Sequence, residues 1–249
     1  MRFAHIADTH IRNLKYHKEY REVFSQLYEN LREQKPDYII HCGDIAHTKT
    51  QISPEYVQMC SDFLKNLADI APTYVILGNH DGNLRNSSRQ DALTPIANAL
   101  QHENLYLLRD AGETPLNDRF SLNVLSVFDE DNWIEPTDPN RINIALYHGS
   151  ISNCETDLGW RMVQQNHGET NDKGYLLWDI EDKENYTCKH FVLKNPKPFI
   201  TIPLTPTGRI SKRVEIQTGA RLRLVSENHL PLDVIRKAID IAKTRFKPE

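Results

Sequence analysis

Three short apolar runs, each ending in a knot of carboxylate, imidazole or amide side chains, restrict the folds open to this chain more than any other feature. Phe3-Ala4-His5-Ile6-Ala7 leads into Asp8-Thr9-His10, Tyr38-Ile39-Ile40-His41-Cys42 into Gly43-Asp44, and Tyr74-Val75-Ile76-Leu77 into Gly78-Asn79-His80-Asp81. Buried strands are apolar along their length, so polar groups collected at one end need a shared purpose. The segments between the strands have helical spacing. Val23, Phe24, Leu27 and Leu31 form one stripe within residues 15–34, and Val57, Cys60, Leu64 and Leu67 form another after the cap and first-turn proline Ser53-Pro54. A third helix is expected over residues 88–100. Alternating strand and helix predicts a parallel sheet with all three polar corners at its C-terminal edge.

After Leu105 the pattern becomes strands joined by short turns. Residues 105–108, 120–127 and 142–147 are expected to form a second sheet packed on the first, the last strand ending in His148-Gly149-Ser150. Residues 129–141, with two prolines and several charges, read as a surface loop. Further strands are expected at 175–180, 190–193, 213–216 and 221–225, then a helix from Pro231 with Leu232, Ile235, Ile239 and Ala242 on its buried face. Pro196, Pro198, Pro203 and Pro206 mark the best boundary, dividing the chain into 1–204 and 205–249. The fold class is α/β: two packed sheets flanked by helices, with a partial C-terminal α+β cap.

A chain of 249 residues can bury one sizeable core plus a small appended unit. No apolar run is long enough for a membrane span and no signal-peptide pattern is visible, so a cytoplasmic protein is expected. Cys42, Cys60, Cys154 and Cys188 form no C-x-x-C pair and read as reduced thiols. The net charge of −4 conceals an asymmetry: residues 205–249 carry ten Lys and Arg against five Asp and Glu, leaving the rest at −9. Two divalent cations would offset part of that acidic excess, and the basic end suits a polyphosphate.

The residue types at the strand ends suit phosphoester chemistry on metal ions. On an extended backbone Asp8 and His10 would point the same way and reach one ion. Asp44 can bridge two ions with its two oxygens, Asn79 offers an amide oxygen, and His148 a ring nitrogen. Oxygen and nitrogen donors without thiolate suit manganese, iron or zinc. His80 is left to protonate a leaving oxygen, with Asp81 expected to orient it, and His47 is expected to line the substrate side. His5, His41, His102, His190 and His229 read as structural or surface histidines.

The series Asp8-Thr9-His10, Gly43-Asp44, Gly78-Asn79-His80-Asp81 and His148-Gly149 resembles the successive motifs of calcineurin-like metallophosphoesterases. More narrowly, Gly43-Asp44-Ile45-Ala46-His47, Ser88-Arg89-Gln90-Asp91-Ala92-Leu93 and the block from Gln164-Gln165-Asn166-His167-Gly168-Glu169 to Trp178-Asp179-Ile180 resemble the SbcD-type DNA repair nuclease subunits. This resemblance implies a four-layer sandwich. It also implies two metal ions, most readily Mn2+, held by Asp8, His10, Asp44, Asn79 and His148, with His80 as catalytic acid. The implied activity is exonuclease and endonuclease cleavage in double-strand-break repair and recombination. The implied partners are DNA ends, an SbcC-type ATPase subunit and, as an option, a second copy of the chain.

The family pattern has one further metal motif after His148, for which this sequence offers no counterpart. Residues 156–160 run almost directly into 162–165, segments that the family separates widely, and His167 matches a position that is not a ligand there. The basic end resembles only the start of the DNA-contacting cap. A weakened nuclease is therefore expected, against two alternatives: another metallophosphoesterase such as a phosphatase, or a non-catalytic scaffold for DNA or the ATPase.

Overall fold

The computed structural model describes residues 1–149 and 162–249. Its organising element is a six-stranded sheet in which β1 (Arg2–Ile6), β2 (Tyr38–Cys42), β3 (Thr73–Ile76) and β4 (Leu105–Leu108) run parallel. Beyond β1 the sheet continues antiparallel through β8 (Gly174–Ile180) and β9 (Tyr186–Val192). The second sheet comprises β5 (Gly112–Pro115), β6 (Phe120–Leu125) and β7 (Ile142–Tyr147). Residues 105–108, expected in the second sheet, thus belong to the first. The physical reason is α3 (Thr94–Leu100), which forms the crossover that returns the chain parallel to β3.

Period-two alternation divides the core into two faces. Ala4, Ile6, Ile39 and Val75 pack against α1 (His17–Gln34) and α2 (Pro54–Ala68), where Tyr20, Leu27, Leu31 and Phe63 are fully buried. Phe3, Ile40, Cys42, Tyr74 and Ile76 point the other way, onto Phe120, Leu122, Val124 and Leu146 of the second sheet. The described stack is therefore helix, sheet, sheet. Truncating a ring at its centre, such as Phe63, would cost about 3–5 kcal/mol.

Local chemistry sets the helix limits. Ser53 accepts from the Tyr56 N–H at 3.2 Å and starts α2 as expected, although Val57 is exposed and the buried stripe runs through Tyr56, Cys60, Phe63, Leu64 and Leu67. The third helix starts at Thr94 rather than near residue 88. There the buried Asp91 carboxylate accepts from the N–H of Leu93 and Thr94 and from the Thr94 hydroxyl, capping the helix at that point.

The C-terminal residues build a small core of their own. β10 (Phe199–Pro203) pairs in parallel with β11 (Arg221–Val225), and α4 (Leu232–Phe246) covers them through Ala242 and Phe246. Leu232 and Ile239, expected on the buried face, are exposed, because the stripe ending in Phe246 is the one that meets the two strands. The strand expected at 213–216 does not form. Its neighbourhood's carbonyls, those of Ser211, Lys212 and Val214, instead accept from the Arg245 guanidinium at 2.9, 2.7 and 2.6 Å. The β10–β11 ladder also ties together residues on both sides of position 204.

Candidate metal centre

The adjacent strands β1, β2 and β3 bring Asp8, Asp44 and Asn79 to one sheet edge, and β7 delivers His148 from the facing sheet. The backbone there is not extended, as the sequence had suggested for Asp8-Thr9-His10. Asp8, His10 and Asp44 have φ of 53°, 47° and 57°, and Gly43 has 87°. Each non-glycine residue in this region costs on the order of 1 kcal/mol, so the surroundings must hold it. Three backbone bonds between the loops do so: Asp8 N–H to Gly43 O, His10 N–H to Asp44 O and Ile11 N–H to Ile45 O, at 2.8–3.0 Å. At Gly43 an added Cβ would also lie 2.6 Å from the Gly78 nitrogen, so the two loops approach too closely for a side chain.

Asp44 stands at the centre. Its Oδ2 is 3.5 Å from His10 Nε2 and 3.3 Å from His148 Nε2, while its Oδ1 accepts the His80 N–H at 2.8 Å. Ligand atoms of His10, Asp44 and His80 lie within 4.8 Å of one another, as do those of Asp8, Asp44 and His148, so two groups share one carboxylate. Asp8 Oδ1 is 3.1 Å from His10 Nε2, and Asn79 Oδ1 is 3.2 Å from His148 Nε2. The structure thus brings together all five expected metal ligands, with His80 beside them. His47 stands beside them, its ring centroid 5.7 Å from that of His10 and 6.0 Å from that of His80. His167 packs edge-on against Phe199 and belongs to neither group. Cys154 and the junction at 156–160 lie outside the described residues.

Asp81 has a different job from the one expected. Its buried carboxylate accepts from the N–H groups of Asp44, Ala46 and Gly78, all at 2.8–2.9 Å, and so pins the β2 and β3 corners together. His80 is oriented instead by the His47 carbonyl, 2.7 Å from its Nδ1. A carbonyl only accepts, so Nδ1 carries a proton and Nε2 is the nitrogen left for chemistry. A cavity of about 650 Å³ opens beside Asn79 and His148, bounded by Leu84, Ser87, Phe128, Asn132 and Tyr147.

Residues 1–201 match the family model for calcineurin-like phosphoesterases. The chain belongs to that family. The chain is also 39% identical over 193 residues to the uncharacterized protein R555 of Acanthamoeba polyphaga mimivirus, a match covering 71% of the chain and only 14% of the relative's length. Among solved structures, a nuclease MPE of Pseudomonas putida is similar over 57% of this chain and 59% of its own, at 21% identity and a TM-score of 0.35, and that likeness carries no argument here.

The donor chemistry of the site fits divalent metal. His148 Nδ1 faces the Cys42 carbonyl at 2.6 Å and must carry a proton, so Nε2 turns its remaining position toward the oxygens of Asn79 and Asp44. His10 Nε2 likewise faces oxygens of Asp8 and Asp44. A ring nitrogen set among anionic oxygens calls for a cation, either a proton or a metal. The charges respond accordingly: although burial pulls it down, the Asp44 carboxylate more than offsets this and raises His148 to about 9. Burial works against ionised Asp44, but His148 and the His80 N–H hold its pKa below the ordinary carboxylate value. Burial, then the Asp44 charge, push Asp81 up to about 7 against its three backbone donors. Burial acts on the neighbouring groups too: it lowers His41 to about 3, with Nε2 2.7 Å from the Thr9 hydroxyl, and raises the Cys42 thiol to about 12. No helix among the described residues is long and apolar enough to cross a membrane.

Proposed function

We propose that this member of the family is a two-metal nuclease of the SbcD type, hydrolysing phosphodiesters at DNA ends during break repair and recombination. The observation that carries the reading is the single Asp44 carboxylate shared by two groups of ligand side chains. The reading departs from those groups at two residues: it keeps His80 out of the ligand set as the acid, and it assigns Asp8, whose Oδ1 is 3.1 Å from His10 Nε2, to the His10 side, so that Asp8, His10 and Asp44 hold one ion, and Asp44, Asn79 and His148 hold the other. Oxygen and imidazole donors with no ionised thiol suit manganese, iron or zinc, and the resemblance to the SbcD-type subunits favours manganese among them. When bound, such a pair supplies positive charge against the phosphoryl oxygens and a water of lowered pKa.

The chain's own residues do the rest. His80, fixed through its Nδ1–H on the His47 carbonyl, holds a proton at Nε2 for the leaving oxygen. On this reading His47, whose ring centroid stands 6.0 Å from that of His80, lines the substrate side. Residues 205–249, with their surplus of five positive charges, form part of a cap that meets the DNA backbone, following residues 1–204 as the catalytic domain. An SbcC-type ATPase subunit, DNA ends and a second copy of the chain are the partners this reading carries.

The test is a substrate comparison with manganese. Release of mononucleotides from linear duplex DNA, with little action on p-nitrophenyl phosphate, is the expected result. Exclusive cleavage of the phosphomonoester would replace the nuclease with a phosphatase. Binding of DNA with neither reaction, and fewer than two ions per chain, would leave a non-catalytic scaffold.

A further inference from the structure

The loop that carries Asp8 and His10 is held from its far side by a segment more than 150 residues away in sequence. Met162 N–H donates to the Asp8 carbonyl at 3.1 Å. Three residues on, the buried Gln165 side chain donates through Nε2 to the His10 carbonyl at 3.0 Å and to the Tyr20 hydroxyl oxygen at 2.7 Å. Tyr20 in turn donates its hydroxyl proton to the same His10 carbonyl at 2.5 Å. The orientation of the Gln165 amide follows from chemistry. Arg12 Nε, which only donates, lies 2.8 Å from the amide oxygen, so the NH2 group must face His10 and Tyr20. Both amide protons, the amide oxygen and the tyrosine hydroxyl are all used.

We propose that Gln165 is a positioning residue for His10, setting the ligand geometry of the ion held by Asp8, His10 and Asp44. The inference rests on the two-metal reading above. His10 occupies a left-handed backbone conformation at φ 47°, with its N–H bonded to the Asp44 carbonyl and its own carbonyl held by two donors. With both ends of the residue fixed, only the two side-chain torsions of the imidazole remain free. Metal sites need their ligands placed to within about 0.5 Å, and side-chain supports of this kind provide that placement. The neighbouring Gln164 continues the device outward. Its amide oxygen accepts the Phe199 N–H at 2.8 Å and its NH2 group donates to the Phe199 carbonyl at 2.9 Å, so residues 164 and 165 splice β10 to the metal loop.

Gln165→Glu keeps the shape and removes the two donors, placing an acceptor against the His10 carbonyl. Manganese titration calorimetry on wild type and variant tests the proposal, with thermal melting as a control on folding. The expected result is that one of two ions binds at least tenfold more weakly while the other changes by less than about threefold, and that excess manganese restores kcat. Tyr20→Phe, which loses one donor and keeps the ring, should weaken the same ion by a smaller factor. It decides the matter if the glutamate variant does not fold. Two ions bound by wild type and bound equally well by both variants would overturn the role of Gln165 alone. A wild-type protein that binds no manganese would remove the two-metal reading and this inference with it.

Discussion

Manganese binding at the His148 side of the site should release a proton, and the structure fixes how strongly affinity depends on pH. His148 Nε2 lies 3.3 Å from Asp44 Oδ2, and this carboxylate, outweighing burial, raises the imidazole to about 9. At pH 7 the metal-free ring is therefore charged and must lose its proton before it can bind metal. Apparent affinity should be about a hundredfold below its limit at pH 7 and improve about tenfold per pH unit, or about 1.4 kcal/mol, until pH nears the imidazole value. Calorimetry at pH 6.5 and 8.0, in two buffers of different ionisation enthalpy, counts the protons: close to one per ion is expected at this site. Nuclear magnetic resonance of metal-free protein should place the His148 titration well above neutrality, and Asp44→Asn should bring it down. An affinity independent of pH over that range, with no proton release, would refute the reasoning.

Other consequences follow from the same geometry. Asp81→Ala leaves three buried N–H groups without an acceptor, for an expected loss of about 3–6 kcal/mol in urea unfolding, and Asp81→Asn, which strands about one, should lose about 1–3 kcal/mol. A loss under about 1 kcal/mol for the alanine variant would show that Asp81 does not hold the corner. His80→Ala should lower turnover by about 10²–10⁴ while both ions remain bound, and comparable turnover would remove it as the proton donor. For chelator-treated protein, the folded-state value of His148 is raised, so its contribution is complete below the unfolded value near 6.5 and lost as pH rises through about 9. Asp44 is lowered, so its contribution is present above the ordinary carboxylate value and lost on acidification through its depressed folded value. Thermal melting of the metal-free protein should decline toward pH 9, and a flat profile there would contradict the ion pair.

What the sequence disclosed followed from burial. Strands such as Tyr38–Cys42 are apolar because both faces are covered, which makes the polar residue at each strand end conspicuous. The five candidate ligands that gather around Asp44 were legible for that reason. Asp81 was not: a carboxylate adjacent to a histidine in sequence suggests a pair, yet the chain turns between them and each finds a partner on another loop. β5, reading Gly-Glu-Thr-Pro, has no apolar signal and is a strand only through its ladder with β6. On α4 two apolar stripes compete, and only tertiary contact with β10 and β11 selects the one through Phe246.

The strained corners and the buried polar network are two sides of one device. Asp8, His10 and Asp44 all occupy left-handed backbone conformations, which no short apolar strand would adopt unaided. Asp81 fixes the β2 and β3 corners from within, and Gln165 with Tyr20 holds the β1 corner from behind. Each support is a hydrogen bond to backbone, so the ligand side chains themselves remain available, crowded around Asp44 with mutually repelling oxygens. A cation relieves that crowding, whereas removing a support relaxes the corner and disperses the ligands. Metal affinity in this protein should therefore be sensitive to residues that never touch the ion, and more so at Asp81, where one carboxylate serves two corners, than at the β1 corner, where Gln165, Tyr20 and the Met162 N–H share the task.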